Sequence, residues 1–193
     1  MAESRSNLKI VIVVSVVAIL VLMSLWVVLA YNGTVSNQQD ADSKESQIKN
    51  RYTTKVDTLG PLLDQVESYK VYESTLLQNI TELRTRWYEA INQSADTATL
   101  SNISTQIDTQ FGTVLATWEN YPVLTASAIV SQYMGEVVDQ NEALSYSRLQ
   151  YNEAVRDYNS GIKSFPMMLF ASSFGFDERE YWGSERPGDG SNL

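Results

Sequence analysis

VVDQNEALSYSRLQYNEAVRDYNSGI, residues 137–162, is the stretch whose reading decides the fold. Val137, Asn141, Leu144, Arg148, Tyr151, Val155, Tyr158 and Ile162 recur at alternating spacings of four and three residues. A period of 3.5 residues keeps one stripe of a helix turned toward a partner, the seam geometry of coiled coils and bundles. Continued backward, the same face takes in Tyr133 and Ile129. The pattern predicts a helix of about 38 residues, roughly 57 Å long, ending near residue 163.

Other segments repeat the pattern more weakly. Leu62, Val66, Tyr69, Leu76, Leu77, Ile80, Leu83, Trp87 and Ile91 form one helical face, and Leu100, Ile103, Ile107, Phe111, Val114, Leu115 and Trp118 another. The weakest stripe, over about 33–59, holds Val35, Ile48, Tyr52, Val56 and Leu59. Gly60-Pro61 reads as the end of that helix, with Pro61 in the first turn of the next. Tyr121-Pro122 ends another. Four amphipathic helices are unstable singly and bury their stripes together, so residues 31–163 are expected to form an antiparallel four-helix bundle.

The apolar residues before the bundle follow another rule. Ile10 to Ala30 is 21 residues without a charge, with Ser15 and Ser24 its only polar side chains. As a helix it spans roughly 30 Å, the thickness of a bilayer core, and Trp26 and Tyr31 fall near one end, where aromatic rings favour the interface. The run is too long for the apolar region of a cleaved signal peptide, which favours an uncleaved anchor. The all-α architecture is therefore an N-terminal single transmembrane helix at 10–30, preceded by residues 1–9 and followed by the bundle. Arg5 and Lys9 lie before the run, and the first basic residue after it is Lys44. That bias puts residues 1–9 in the cytoplasm and the bundle outside, in a single-pass arrangement at the cell membrane.

The 193 residues include no Cys and no His, with 14 basic and 23 acidic side chains. Thiolate and imidazole chemistry are excluded, including disulfides, Ser-His triads and Glu-x-x-His di-iron sites. Without Arg5, Lys9 and Glu3, 12 basic and 22 acidic residues remain, net −10. Such a body disfavours nucleic acid. The structural polar candidates are Glu119, just before Tyr121-Pro122, and four residues that interrupt the stripes, Glu73, Arg84, Asn141 and Arg148, with Asp40, Asp42 and Glu45 as candidate counter-ions for the two arginines. A buried charge needs a partner, and their simplest role is to fix register. A Glu73–Asp108 carboxylate pair is a weaker metal candidate. No cofactor is implied. Four sequons stand at Asn32, Asn79, Asn92 and Asn102.

After the bundle, residues 164–183 form an apolar segment, and 184–193 read as a disordered tail. With four alternating helices the segment emerges near the bilayer. It is expected to cap the open end of the bundle and approach lipid, with Phe165, Phe170, Phe174, Phe176, Tyr181 and Trp182 as interface candidates.

Several of these residues form a recognisable set. Tyr151-Asn152-Glu153-Ala154-Val155-Arg156-Asp157-Tyr158-Asn159, Phe165-Pro166 and Phe174-Gly175-Phe176 resemble the YN-x-x-V-x-x-YN…FP…GF pattern of the LemA family. Glu119-Asn120-Tyr121-Pro122 with Leu124 and Ala126 is similar to its E-x-YP-x-L-x-A turn. Tyr69, Glu73, Leu77, Ile80 and Arg84 match another family register, and Leu59 and Pro61 its L-x-P start of a helix. Two departures stand out: Lys55-Val56 replaces a paired arginine, and Asn141-Glu142 reverses a Glu-Asn. The resemblance implies one membrane helix, a four-helix bundle and no accepted enzymatic activity. It also implies a link to membrane biogenesis or membrane-protein quality control in some members.

The expected function is a non-enzymatic scaffold of the cell envelope, with the lipid bilayer and a membrane or envelope protein as partners, or a second copy of itself. The alternatives are an accessory subunit of a membrane protease or assembly system, and a polar ligand or metal binder within the bundle.

Overall fold

The protein is seen in a computed structural model that describes residues 2–67 and 74–183. Tyr69, Glu73 and the 184–193 tail lie outside the described residues. Every regular element described is helical: α1 (Ala2–Glu67), α2 (Ser74–Asn92), α3 (Thr97–Asn120), a single turn α4 (Pro122–Thr125) and α5 (Ala128–Lys163). Two 3-10 turns follow at Met167–Leu169 and Ser172–Phe174. The expected antiparallel bundle is present.

Helix α1 is one unbroken rod of 66 residues. It is the only helix among the described residues long and apolar enough to cross a membrane, and the apolar window is wholly unburied. Asn32-Gly33-Thr34 does not interrupt it; Thr34 Oγ1 donates back to the Ala30 carbonyl at 3.0 Å. Nor does Gly60-Pro61 end it, contrary to the sequence reading, and Pro61 lies within α1 rather than in the first turn of the next helix. Leu59 and Leu62 explain why. Both are buried in one cluster with Ile80, Phe111 and Leu124, and holding both there requires helical backbone through Pro61, whose ring faces solvent.

The seam of α1 comprises Thr34, Gln38, Ala41, Glu45, Ile48, Tyr52, Lys55, Leu59 and Leu62, again at alternating spacings of four and three. Four of the nine are polar, which is why its apolar stripe is faint in the sequence. The facing seam of α5 also differs from expectation at one end. Val130 and Met134 are buried, whereas Ile129 is exposed. Val130 and Met134 continue the repeat from Val137 in the same four-three alternation, so the seam runs back through them and not through Tyr133 and Ile129.

The hairpin of α2 and α3 is short, with helices of 19 and 24 residues against 36 for α5. It flanks α1 only from the tip, near Glu67, down to Glu45, where Thr97 Oγ1 meets the Glu45 carboxylate at 3.4 Å. Asp96 caps α3 there, accepting from the Thr99 N–H at 2.8 Å. Below that level only α1 and α5 continue, and residues 164–183 take the place of the hairpin. The core follows as three tiers. Leu62, Phe111 and Met134 lie in the tip tier, and Tyr52, Trp87, Tyr151 and Trp182 in the middle. Tyr158, Ile162, Met167 and Phe176 lie in the base tier, against Ala30 and Val35.

Candidate functional site

Lys55 anchors a polar cluster in the bundle's interior. Its side chain is fully buried, yet Nζ donates to Asp108 Oδ1 and to Asn141 Oδ1, each at 2.6 Å. Tyr52 Oη donates to the other oxygen of Asp108 at 2.7 Å, and Arg148 Nη2 donates to that same oxygen. The Arg148 guanidinium lies 5.3 Å from the Tyr52 ring centre, and Lys55 Nζ lies 4.8 Å from that of Phe111. One carboxylate thus gathers donors from α1 and α5 onto α3. Burial pulls the Lys55 ammonium below its ordinary value, with the Asp108 charge and hydrogen bond acting against it. Burial likewise pushes the Asp108 carboxyl up, opposed by Lys55. An acceptor already serving an ammonium, a phenol and a guanidinium is a cross-link rather than a general base. The groove beside it, about 220 Å³, is lined by Asp108, Gly112, Asn141 and Arg148.

The polar candidates therefore separate. Asn141 and Arg148 join this cluster, but the counter-ion of Arg148 is Asp108 of α3, not Asp40, Asp42 or Glu45. Arg84 is exposed on the far side of α1, 3.3 Å from Asp57. Its stripe position turns outward because α2 packs through Leu83 and Trp87. Glu119 is exposed near the tip. Glu73 lies outside the described residues, and Asp108 is engaged by Lys55. Sequence reading missed Lys55 and Tyr52 as polar partners. The departure from a family arginine at Lys55 was the available signal.

A second arrangement explains the Tyr-Asn repeat of α5. Asn159 Nδ2 donates to the Arg179 carbonyl at 2.9 Å, and Asn159 Oδ1 accepts from the Arg179 N–H at 2.9 Å. One heptad earlier, Asn152 makes the same pair with Trp182, at 3.0 and 2.7 Å. Seven helical residues rise about 10.5 Å, and three extended residues span about 10 Å. The two amides thus hold the segment as a neighbouring strand would, running antiparallel to α5. Between them Arg179 reaches Asp42 and lies 5.6 Å from the Tyr158 ring centre. Asp42 and Glu45 face Arg179, not Arg84 or Arg148 as the sequence suggests.

Trp182 is 3% exposed, its indole N–H donating to Ser104 Oγ at 3.2 Å and its ring 6.2 Å from that of Tyr52. It is a core residue of the middle tier, which corrects its assignment to the interface. Tyr181 packs partly buried against the same tier. The segment does not simply cap the base: it turns there, then climbs the side of the bundle, because Asn152 and Asn159 supply its backbone partners. Tyr151, buried in that tier, donates its hydroxyl to the Glu180 carbonyl at 3.0 Å. Burial pushes its pKa up to about 12.

The remaining aromatic candidates gather at the base. Phe165 lies 5.0 Å from Trp26, Phe174 5.2 Å from Tyr31 and Phe176 5.4 Å from Tyr31, centre to centre. Phe176 is buried, whereas Phe165, Phe170 and Phe174 are exposed beside Met168 and Leu169.

A long apolar helix passing into an all-helical bundle, with aromatics collected where the two meet, defines a membrane-associated helical-bundle protein. Comparison with known proteins gives the family. The LemA family model matches residues 44–189, and the chain belongs to that family. It is 25% identical over 134 residues to Protein LemA of Metamycoplasma hominis, across 69% of this chain and 60% of that protein's length. It is 22% identical over 204 residues to Magnetosome protein MamQ 2 of Paramagnetospirillum magneticum, covering 94% and 74%. To Magnetosome protein MamQ of Magnetospirillum gryphiswaldense it is 20% identical over 207 residues, covering 96% and 76%.

Proposed function

We propose that the protein is a non-enzymatic scaffold of the cell envelope, rooted in the membrane through residues 10–30 and acting by protein contacts from a bundle that stands on the bilayer. The observation that carries this reading is the continuity of α1. A helix without a break transmits orientation, so the bundle cannot swivel on its anchor. From Ala30 to Glu67 the rod rises about 55 Å. The interior acids and bases are consumed in cross-links between helices, which suits a rigid strut better than a catalyst. In this reading the basic flank at Arg5 and Lys9 is cytoplasmic and the acidic bundle is extracytoplasmic.

A second reading, an accessory subunit of a membrane protease or assembly system, is favoured by the tip. Tyr121, Val123 and Ile129 are all exposed around α4, and a cluster of apolar side chains far from the membrane suits a protein partner.

The test is photo-cross-linking in native membranes from a probe at Val123, compared with a probe at Tyr146 on the side of α5. One recurrent membrane complex captured at the tip supports the accessory reading, and adducts with several envelope proteins support the scaffold. Adducts with itself alone point to self-assembly. A tip that yields no more protein adducts than Tyr146 defeats both readings. Impermeant maleimide labelling of Tyr146→Cys in intact cells tests the topology, and protection of that site would reverse it.

A further inference from the structure

Residues 164–176 contain no charged side chain, and Lys163 and Asp177 bound them. Folded as two 3-10 turns, the stretch divides its side chains between two directions. Met167, Ala171 and Phe176 face the base tier. Phe165, Met168, Leu169, Phe170 and Phe174 face outward, the most exposed being Leu169 at 62% and Met168 at 60%. Ordinary folding explains the first group and leaves the second largely exposed, even where Phe165 and Phe174 touch rings of α1.

The loop's depth says what covers the second group. The Trp26–Phe165 ring contact ties it to a residue inside the apolar run of α1. Trp26 lies four residues before Ala30, about 6 Å down the helix axis. Tyr31, which meets Phe174 and Phe176, lies one residue past the end of the run. The exposed side chains therefore flank the last turn of the membrane-spanning segment, where headgroups give way to acyl chains. The charges leave that level: Lys163 and Glu178 pair at 2.7 Å where the loop joins the bundle.

We propose that residues 165–174 are a second membrane attachment, a monotopic loop whose Phe165, Met168, Leu169, Phe170 and Phe174 enter the acyl–headgroup boundary of the bundle-side leaflet. The proposal rests on the reading of residues 10–30 as a membrane span. The bundle then meets the bilayer at two points, the helix and the loop beside it, and cannot tilt without withdrawing apolar side chains from lipid. No basic side chain lies within the loop, so zwitterionic lipid suffices and anionic lipid adds nothing.

The absence of cysteine allows single-site labelling of the full chain. Leu169→Cys, Met168→Cys, Leu22→Cys and Tyr146→Cys are each labelled with an environment-sensitive fluorophore and reconstituted in phosphatidylcholine vesicles. Quenching is read with shallow nitroxide lipids and with aqueous iodide. Labels at 169 and 168 are expected to be quenched several-fold more by shallow nitroxide than the label at 146, and to resist iodide. Iodide quenching equal to that at 146 places the loop in water and overturns the proposal. Protection from both quenchers means that protein, a second copy of this chain, covers the loop, and also overturns it. The label at 22 separates failure of the loop from failure of the span. If it too responds to iodide, the span reading falls and the loop proposal with it.

Discussion

Lys55 Nζ stands 2.6 Å from Asp108 Oδ1 with the lysine side chain wholly buried, and Arg148 closes on the other carboxylate oxygen. Two cations from opposite helices share one anion on a third. Removing the anion strands the buried Lys55 ammonium in low dielectric and leaves the partly exposed Arg148 without this carboxylate, whereas removing all three groups strands none.

Asp108→Ala is therefore expected to cost about 3 kcal/mol, the lower end for a broken buried pair because the carboxylate is partly exposed. The triple variant Lys55→Met, Asp108→Leu, Arg148→Met is expected to return to within about 1 kcal/mol of the parent or above it. Denaturant midpoints of the full chain in micelles read both. If the triple variant is as unstable as the single one, the cluster contributes net stability and not only register.

Trp182 reaches the middle tier on a segment whose backbone Asn152 and Asn159 hold. Trp182→Ala is expected to cost about 3–5 kcal/mol, the range for a large core side chain. Phe170→Ala, on the exposed side of the base loop, should cost under about 1 kcal/mol. Thermal melts of the two variants provide the comparison, and equal losses would contradict the burial of Trp182.

Pro61 lies inside α1 on its solvent side. In an unbroken helix proline is about 3 kcal/mol worse than alanine. Pro61→Ala should stabilise the protein by about 1–3 kcal/mol. If the chain broke at Gly60-Pro61 as the sequence suggests, the same change would destabilise, since proline favours a first turn. The sign of the shift in unfolding midpoint decides between them.

Tyr151 keeps its proton up to about pH 12 because burial disfavours the phenolate. Unfolded, it titrates near the ordinary tyrosine value of about 10. Between those values the folded chain holds the proton and the unfolded chain has lost it. The contribution of Tyr151 to stability is then complete below pH 10 and disappears as pH rises through about 12. The stability gap between the parent and Tyr151→Phe should narrow across that window. A gap independent of pH would show the phenol to be solvated.

Helical class, bundle and the long apolar run were legible because they depend on periodicity and on runs of one polarity, both local properties of the chain. The seam of α5 was readable from Val137 onward for that reason. That of α1 was faint because Thr34, Gln38, Glu45 and Lys55 occupy seam positions, and a polar residue in a stripe does not name its partner. The motif residues of α5 stood out in the sequence, but their task did not. Asn152 and Asn159 bind backbone groups of Arg179 and Trp182, and any sequence offers backbone groups.

The sequence by itself determined that the chain is all-helical, that residues 10–30 are long and apolar enough to cross a membrane, and that cysteine and histidine chemistry are absent. Tertiary structure alone decided the rest. It carried α1 through Pro61, gave Arg148 to Asp108, and sent Trp182 inward while leaving Phe165 and Leu169 outside. The physical reason is the same in each case. Local pattern fixes which groups want burial or a partner, but the choice among partners depends on groups brought together from distant parts of the chain. A buried cation and an unpaired amide are each satisfied only when those groups meet.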